Sequence, residues 1–259
     1  MTKKYIKTGK CIWCGKEIPD TTFNKAPHIV PKGLGGREIC FDVCDKCNEY
    51  FGKSTTGITA VDVVFKEIFN SYIIFSRNTD KDTHTKFSSI FFNYFHSQHK
   101  ITMKGNFKSS VITRQFKRGL YEVFLQKYHF VTGNGNHPMF EAVRQYARYN
   151  KGNLRVFYVF NNMVFLPAEE NIRKLPMSEN AINDMMNNGV FRFWFAGHLF
   201  YLEIFPILFN LKGKFFLQNE ANSVLVRAKG NECIFELQDI KQIDFLMRRF
   251  ADENNNFHF

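Results

Sequence analysis

Long apolar runs are missing from this sequence. No stretch of eighteen residues lacks a charge or a turn former, so no membrane-spanning helix is expected. The opening "MTKKYIKTGK" carries lysines with no apolar run behind them and does not read as a secretory leader. The chain is therefore expected in the cytoplasm, where thiols stay reduced. Walker and dinucleotide-type glycine patterns, nucleophile motifs and internal repeats are absent, which leaves P-loop and dinucleotide chemistry without support. Tryptophan is scarce, two residues against 31 phenylalanines, so aromatic packing in these 259 residues falls to phenylalanine.

Acidic residues are short in only part of the chain. Residues 1–53 hold ten Lys/Arg against six Asp/Glu, and residues 54–150 hold thirteen against six. Residues 151–259 are balanced, twelve against twelve, so the whole +11 lies in the first 150 residues. A basic half points to a polyanionic partner, most often nucleic acid. The length allows one large domain or two ordinary ones.

Of the six cysteines, four are regularly placed. Cys11, Cys14, Cys44 and Cys47 form two C-x2-C pairs, the pattern of a tetrahedral all-thiolate zinc site in a reducing compartment. Cys40 and Cys233 have no partner at such spacing and read as small buried apolar residues. Four thiolates leave zinc no open position, so such an ion is structural and any reaction takes place beside it. "APHIVP" sets His28 in an extended segment, because Pro27 and Pro31 disfavour helix there. "KGLGG" gives a turn. "REICFDV" is a second extended stretch, with Ile39, Phe41 and Val43 alternating against Cys40 and Asp42. "CDKCNEYFG" opens a helix, with Asn48 directly after the last cysteine and Gly52 at its end.

Taken in order, C-x2-C, "HIVP" at 28–31, Gly35-Gly36, C-x2-C and Asn48 resemble the HNH endonuclease family, in its treble-clef (ββα-metal) form with a four-cysteine zinc site. The resemblance covers residues 11–52. It implies that His28 activates water and that Asn48 binds a catalytic divalent ion, Mg2+ or Mn2+. Many family members carry Asp or Glu before the strand histidine as a second metal ligand, where this chain has Pro27. Many also carry an asparagine that orients the histidine, at the place of Ile39. Glu38, Asp42 and Asp45 are nearby carboxylates, and Asp42, expected to face His28, is the candidate second ligand. Hydrolysis of a phosphodiester needs a base that titrates near neutrality and a cation on the phosphate, and these few residues supply both. Lys32 and Arg37, in and beside the turn, are candidates for nucleic-acid contact.

Beyond Gly52 the periodicity predicts a helix over 55–75, with Ile58, Val61, Phe65, Ile68 and Phe69 on one face. A second is predicted over 114–128, apolar at Phe116, Leu120, Val123 and Phe124, with Arg114, Lys117, Arg118 and Lys127 as a basic face for phosphate. "PMFEAVRQYARYN" predicts a third, with proline at its first position. After residue 150 the texture turns to strands: hairpins over 154–167 and 189–206, further strands at 212–218 and 223–228, and a closing helix over 236–253. Phe191, Phe193 and Phe195 alternate with Arg192 and Trp194, and His198 sits in an apolar strand and reads as buried.

The expected fold is α+β, in three segments: an HNH-like zinc module at 1–53, a basic helical region at 54–150, and an aromatic-rich α+β region with antiparallel hairpins at 151–259, the last two open to being one domain. The expected function is a metal-dependent endonuclease, DNA favoured over RNA, in bacterial or phage defence, restriction or mobile-element biology by family analogy. A regulatory partner or a homodimer is left open. The alternatives are a non-catalytic zinc-dependent nucleic-acid-binding module and an interaction protein without nucleic acid.

Overall fold

A computed structural model describes residues 5–76, 88–95, 100–160, 175–222, 233–243 and 256–258. The N-terminal segment lies as expected: a knuckle at the first cysteine pair, a hairpin centred on a bridge between His28 and Ile39, then helix α1, Asp45–Gly52. It packs on a helical body of α2, Val61–Ser76, α3, Ser109–Thr132, and α4, Glu141–Ala147. Beyond these come α5, Glu179–Asn188, the short α6, Pro206–Leu208, a π turn at Phe209–Gly213, and α7, Lys214–Ala221.

Two antiparallel sheets complete the mixed fold. The smaller joins β1, Phe92–Phe95, β2, Lys100–Met103, and β7, Asn256–His258. The larger has β3, Val156–Phe160, β4, Val190–Phe195, β5, His198–Glu203, and β6, Cys233–Glu236, in the order β4-β5-β3-β6. The β4–β5 hairpin turns on Ala196 and Gly197, both at positive φ (50° and 81°), the backbone a tight two-residue turn demands. Phe191, Phe193 and Phe195 point inward and Trp194 outward, as the alternation predicted. His198 is buried and its Nδ1 lies 2.9 Å from the Tyr158 hydroxyl.

Helix α3 is the axis of the molecule. Every residue from Gln115 to His129 is buried, so it is enclosed on all sides and not on one face. At Gly119 an added Cβ would sit 3.0 Å from the Phe65 side chain, which is how closely α2 approaches. Phe65, Phe69, Phe116 and Phe195 form one aromatic stack between α2, α3 and the larger sheet, with centroids 4.8 to 6.1 Å apart. A single buried cluster runs from Cys11 through α2 and α3 to Ile243, taking in residues of all three segments.

Three expectations change. The stretch 212–218 is helical where a strand was predicted: Pro206 starts a helical run that buries Phe209 and Leu217 and leaves Phe215 outside, a one-sided helical pattern. Helix α2 begins at Val61, because Gly57 takes a positive φ ahead of it. In "REICFDV" Val43 is buried as expected, but so are Cys40 and Asp42, whereas Ile39 and Phe41 are only half-buried, so the apolar alternation does not hold. The second strand expected at 163–167, the strand at 223–228 and most of the closing helix lie outside the described residues.

Candidate active site

The site is built on the four cysteines. Their sulfurs all lie within 4.8 Å of one another, and those of Cys14 and Cys44 are 3.7 Å apart. A tetrahedron with Zn–S near 2.3 Å has edges of about 3.8 Å, so the spacing suits zinc. The thiols also compete for charge. A hydrogen bond from Cys47 draws Cys11 down to about 5, burial pushes Cys14 up to about 11, and the bond to Cys11 pushes Cys47 well up. A divalent cation resolves that conflict by holding all four as thiolates. By contrast, burial, helped by the charge of nearby Asp42, holds Cys40 far above the ordinary thiol range, as fits an inert core residue; the Cys233 side chain lies outside the described residues.

Arg148 completes this centre from the body. It donates Nε–H to Cys47 Sγ at 3.3 Å and stacks its guanidinium on Tyr50 at 3.8 Å. Its positive charge would offset the excess negative charge of four thiolates on a bound dication. The contact spans 101 residues, and no local motif marks it.

The hairpin is fixed by Ile29 N–H to Glu38 O at 2.9 Å and Cys40 N–H to Pro27 O at 3.0 Å. Its turn depends on Gly36, where an added Cβ would lie 1.8 Å from Val30 O, a backbone atom with no room to move. Gly36→Ala should therefore lower stability by about 1–3 kcal/mol, read as a shifted urea midpoint; an unmoved midpoint would show that the hairpin closes differently.

His28 is half-buried on this hairpin, and Asn48 half-buried on α1, its N–H bonded to Cys44 O at 2.9 Å. Among the described residues neither side chain has a hydrogen-bond partner. Asp45 links their supports. Its carboxylate accepts from Thr22 Oγ1 at 2.5 Å, Lys25 N at 2.8 Å and Asn24 N at 3.1 Å, pinning the segment that leads to His28 onto the start of α1.

These features decide a comparison. The family model described as HNH endonuclease matches residues 11–57. Residues 11–57 are an HNH endonuclease segment. No curated protein and no solved structure matches the chain.

Within the HNH segment Asp42 is not placed as expected. It is buried and accepts from Thr8 N at 2.6 Å, Thr8 Oγ1 at 2.8 Å, Gly9 N at 3.0 Å and His129 Nε2 at 2.8 Å. His129 Nδ1 accepts from Gly135 N–H, so Nε2 carries the proton toward Asp42. With its oxygens so engaged, Asp42 is a strut tying the N-terminal strand and the hairpin to α3, and not the second ligand foreseen. Burial pushes this carboxyl up, but the bonds from Thr8, His129 and Gly9 outweigh it and hold it below 3.8. A depressed carboxylate stabilises the fold above its unfolded value and loses that contribution as pH falls through its folded one. The thermal midpoint of Asp42→Asn should thus lie below wild type at pH 7, and the gap should close below about pH 4. A gap that persists in acid would contradict this.

The basic face expected on α3 is also corrected. Lys117, Arg118 and Lys127 are buried, and Lys127 is ion-paired to Glu38 at 2.6 Å. Arg114 is engaged with Asn150 and Gly152 carbonyl groups at 2.6 to 3.0 Å. The four therefore do not form an exposed basic face along which a phosphate backbone could lie. Lys32 and Arg37, in contrast, are exposed in and beside the hairpin turn.

Proposed function

We propose that this protein is an endonuclease hydrolysing phosphodiester bonds of nucleic acid, DNA in the first place, on an HNH segment held by structural zinc. The observation that carries the reading is the presence, within that segment, of a histidine on the hairpin and an asparagine on α1 whose side chains have no hydrogen-bond partner among the described residues. His28 acts as general base and takes the proton of the attacking water. Asn48 would hold a catalytic Mg2+ or Mn2+ through its amide oxygen. The bound ion would stabilise charge on the phosphate and on the leaving 3′ oxygen. Among the described residues no His/Cys/Asp/Glu triplet other than the cysteines converges. An ion with few protein ligands and several waters and phosphate oxygens is the ordinary habit of Mg2+. Lys32 and Arg37 hold the substrate backbone beside the cut.

A cytoplasmic role in defence, restriction or mobile-element biology fits such a nuclease. Pro27, where a carboxylate would complete the metal site, favours the rival reading of a non-catalytic nucleic-acid-binding module. A supercoiled plasmid incubated with zinc-loaded protein and Mg2+ or Mn2+ separates them. Nicked or linear product that disappears with EDTA supports the nuclease. A salt-sensitive gel shift with intact plasmid supports the module.

A further inference from the structure

One face of α1, with Lys46 and Tyr50 and the following Lys53, looks across a cleft of about 360 Å³ at Gln115, Arg118 and Arg148 of the body. That volume suits a small ligand of nucleotide size. At 3.6 residues per turn, Asn48 lies on the opposite side of α1 from this face, so the cleft is separate from the site described above. Four cations line it against one carboxylate, Glu49, which already holds Lys53 at 3.1 Å.

Arg118 is the telling residue. It is 3 % exposed, and its guanidinium donates to Ala147 O at 2.7 and 3.0 Å, to the Tyr50 hydroxyl at 2.7 Å and to Gln115 Oε1, all neutral acceptors. Among the described residues no carboxylate lies within ion-pair distance of it. Glu122, one turn further along α3, accepts from Gln126 Nε2 at 3.0 Å and makes no ion pair with Arg118 among the described residues. A buried cation with no anion is costly, and the usual remedy is a paired charge. Lys46 is exposed on the other wall, and the Thr55 hydroxyl and Ile58 offer a less charged end for a sugar or a base.

We propose that this cleft binds a phosphate-bearing small molecule of nucleotide size, whose phosphate serves as the counter-ion of Arg118 and clamps α1 to the body. Because Lys46 belongs to α1, Lys53 follows directly after it, and Arg118 and Arg148 belong to the body, one anion bridges the helix bearing Asn48 and the core behind it.

The test is calorimetric titration of zinc-loaded full-length His28→Ala protein, which keeps binding separate from cleavage, with ATP, pyrophosphate, sulfate and a short single-stranded DNA. The expected result is saturable binding of ATP and pyrophosphate, a rise in thermal midpoint with either, and binding about tenfold weaker in Lys46→Ala. Arg118→Gln should lose binding altogether. If that variant does not fold, Lys46→Ala, altered only at an exposed position, decides. Failure of both phosphate compounds to bind, equal binding of sulfate, or unchanged affinity in Lys46→Ala would overturn the proposal. DNA that displaces ATP from the cleft would overturn it too, by making the polynucleotide backbone the occupant.

Discussion

Cys44→Ser should yield protein that is largely insoluble and holds less zinc than wild type. The segment is too short to bury enough apolar surface by itself. Structural zinc in small domains supplies about 10–16 kcal/mol, as much as the whole stability of a typical domain. The effect should also reach beyond the first 53 residues. Cys11, Cys44 and Cys47 belong to the same buried cluster as α2, α3 and the larger sheet, and Arg148 reaches Cys47 from the body. Loosening the knuckle opens that shared core, and Asp42 and Lys127 lose the frame that orients them. Elemental analysis and circular dichroism of the soluble fraction check this. A soluble, folded Cys44→Ser protein, or wild type without zinc, would contradict it.

His28→Ala should lower cleavage by roughly 10²–10⁴-fold, the usual cost of a lost general base. Zinc content and thermal midpoint should barely move, because the side chain binds no sulfur and has no hydrogen-bond partner among the described residues. Asn48→Ala should abolish activity through the metal, with partial recovery at high Mn2+, a rescue that His28→Ala should not show. That difference separates a base from a ligand. Asp42→Ala should behave differently from both. Removing a carboxylate with four hydrogen bonds lowers stability, and the metal dependence of the protein that remains folded should be unchanged. If His28→Ala cuts as fast as wild type, the assigned chemistry is wrong.

What was legible in the sequence was local. Two cysteines three apart, a histidine between prolines and a glycine pair all act over a few residues, and the HNH segment could be traced from them. The β4–β5 hairpin was legible because Ala-Gly separates an alternating run from a second, largely apolar one. Side-chain commitments between distant segments were not legible. The partners of Asp42 lie 33, 34 and 87 residues away, so a carboxylate on the right strand looked free to bind metal. The periodicity of α3 showed an apolar face and implied a solvent face. The surrounding helices and strands cover that second face too, and Lys117, Arg118 and Lys127 are enclosed with it. Arg148 carried no signal at all. Its role depends on two elements meeting, and only the fold brings them together.

The most direct measurement is the anomalous scattering of Mn2+ in crystals of zinc-loaded protein, collected at the manganese and zinc edges. The account predicts zinc at the four cysteines and a separate manganese peak bound by the Asn48 side chain with His28 facing it across a water. Manganese density confined to the cysteines, or an ion bound at Asp42 with Asn48 turned away, would contradict it.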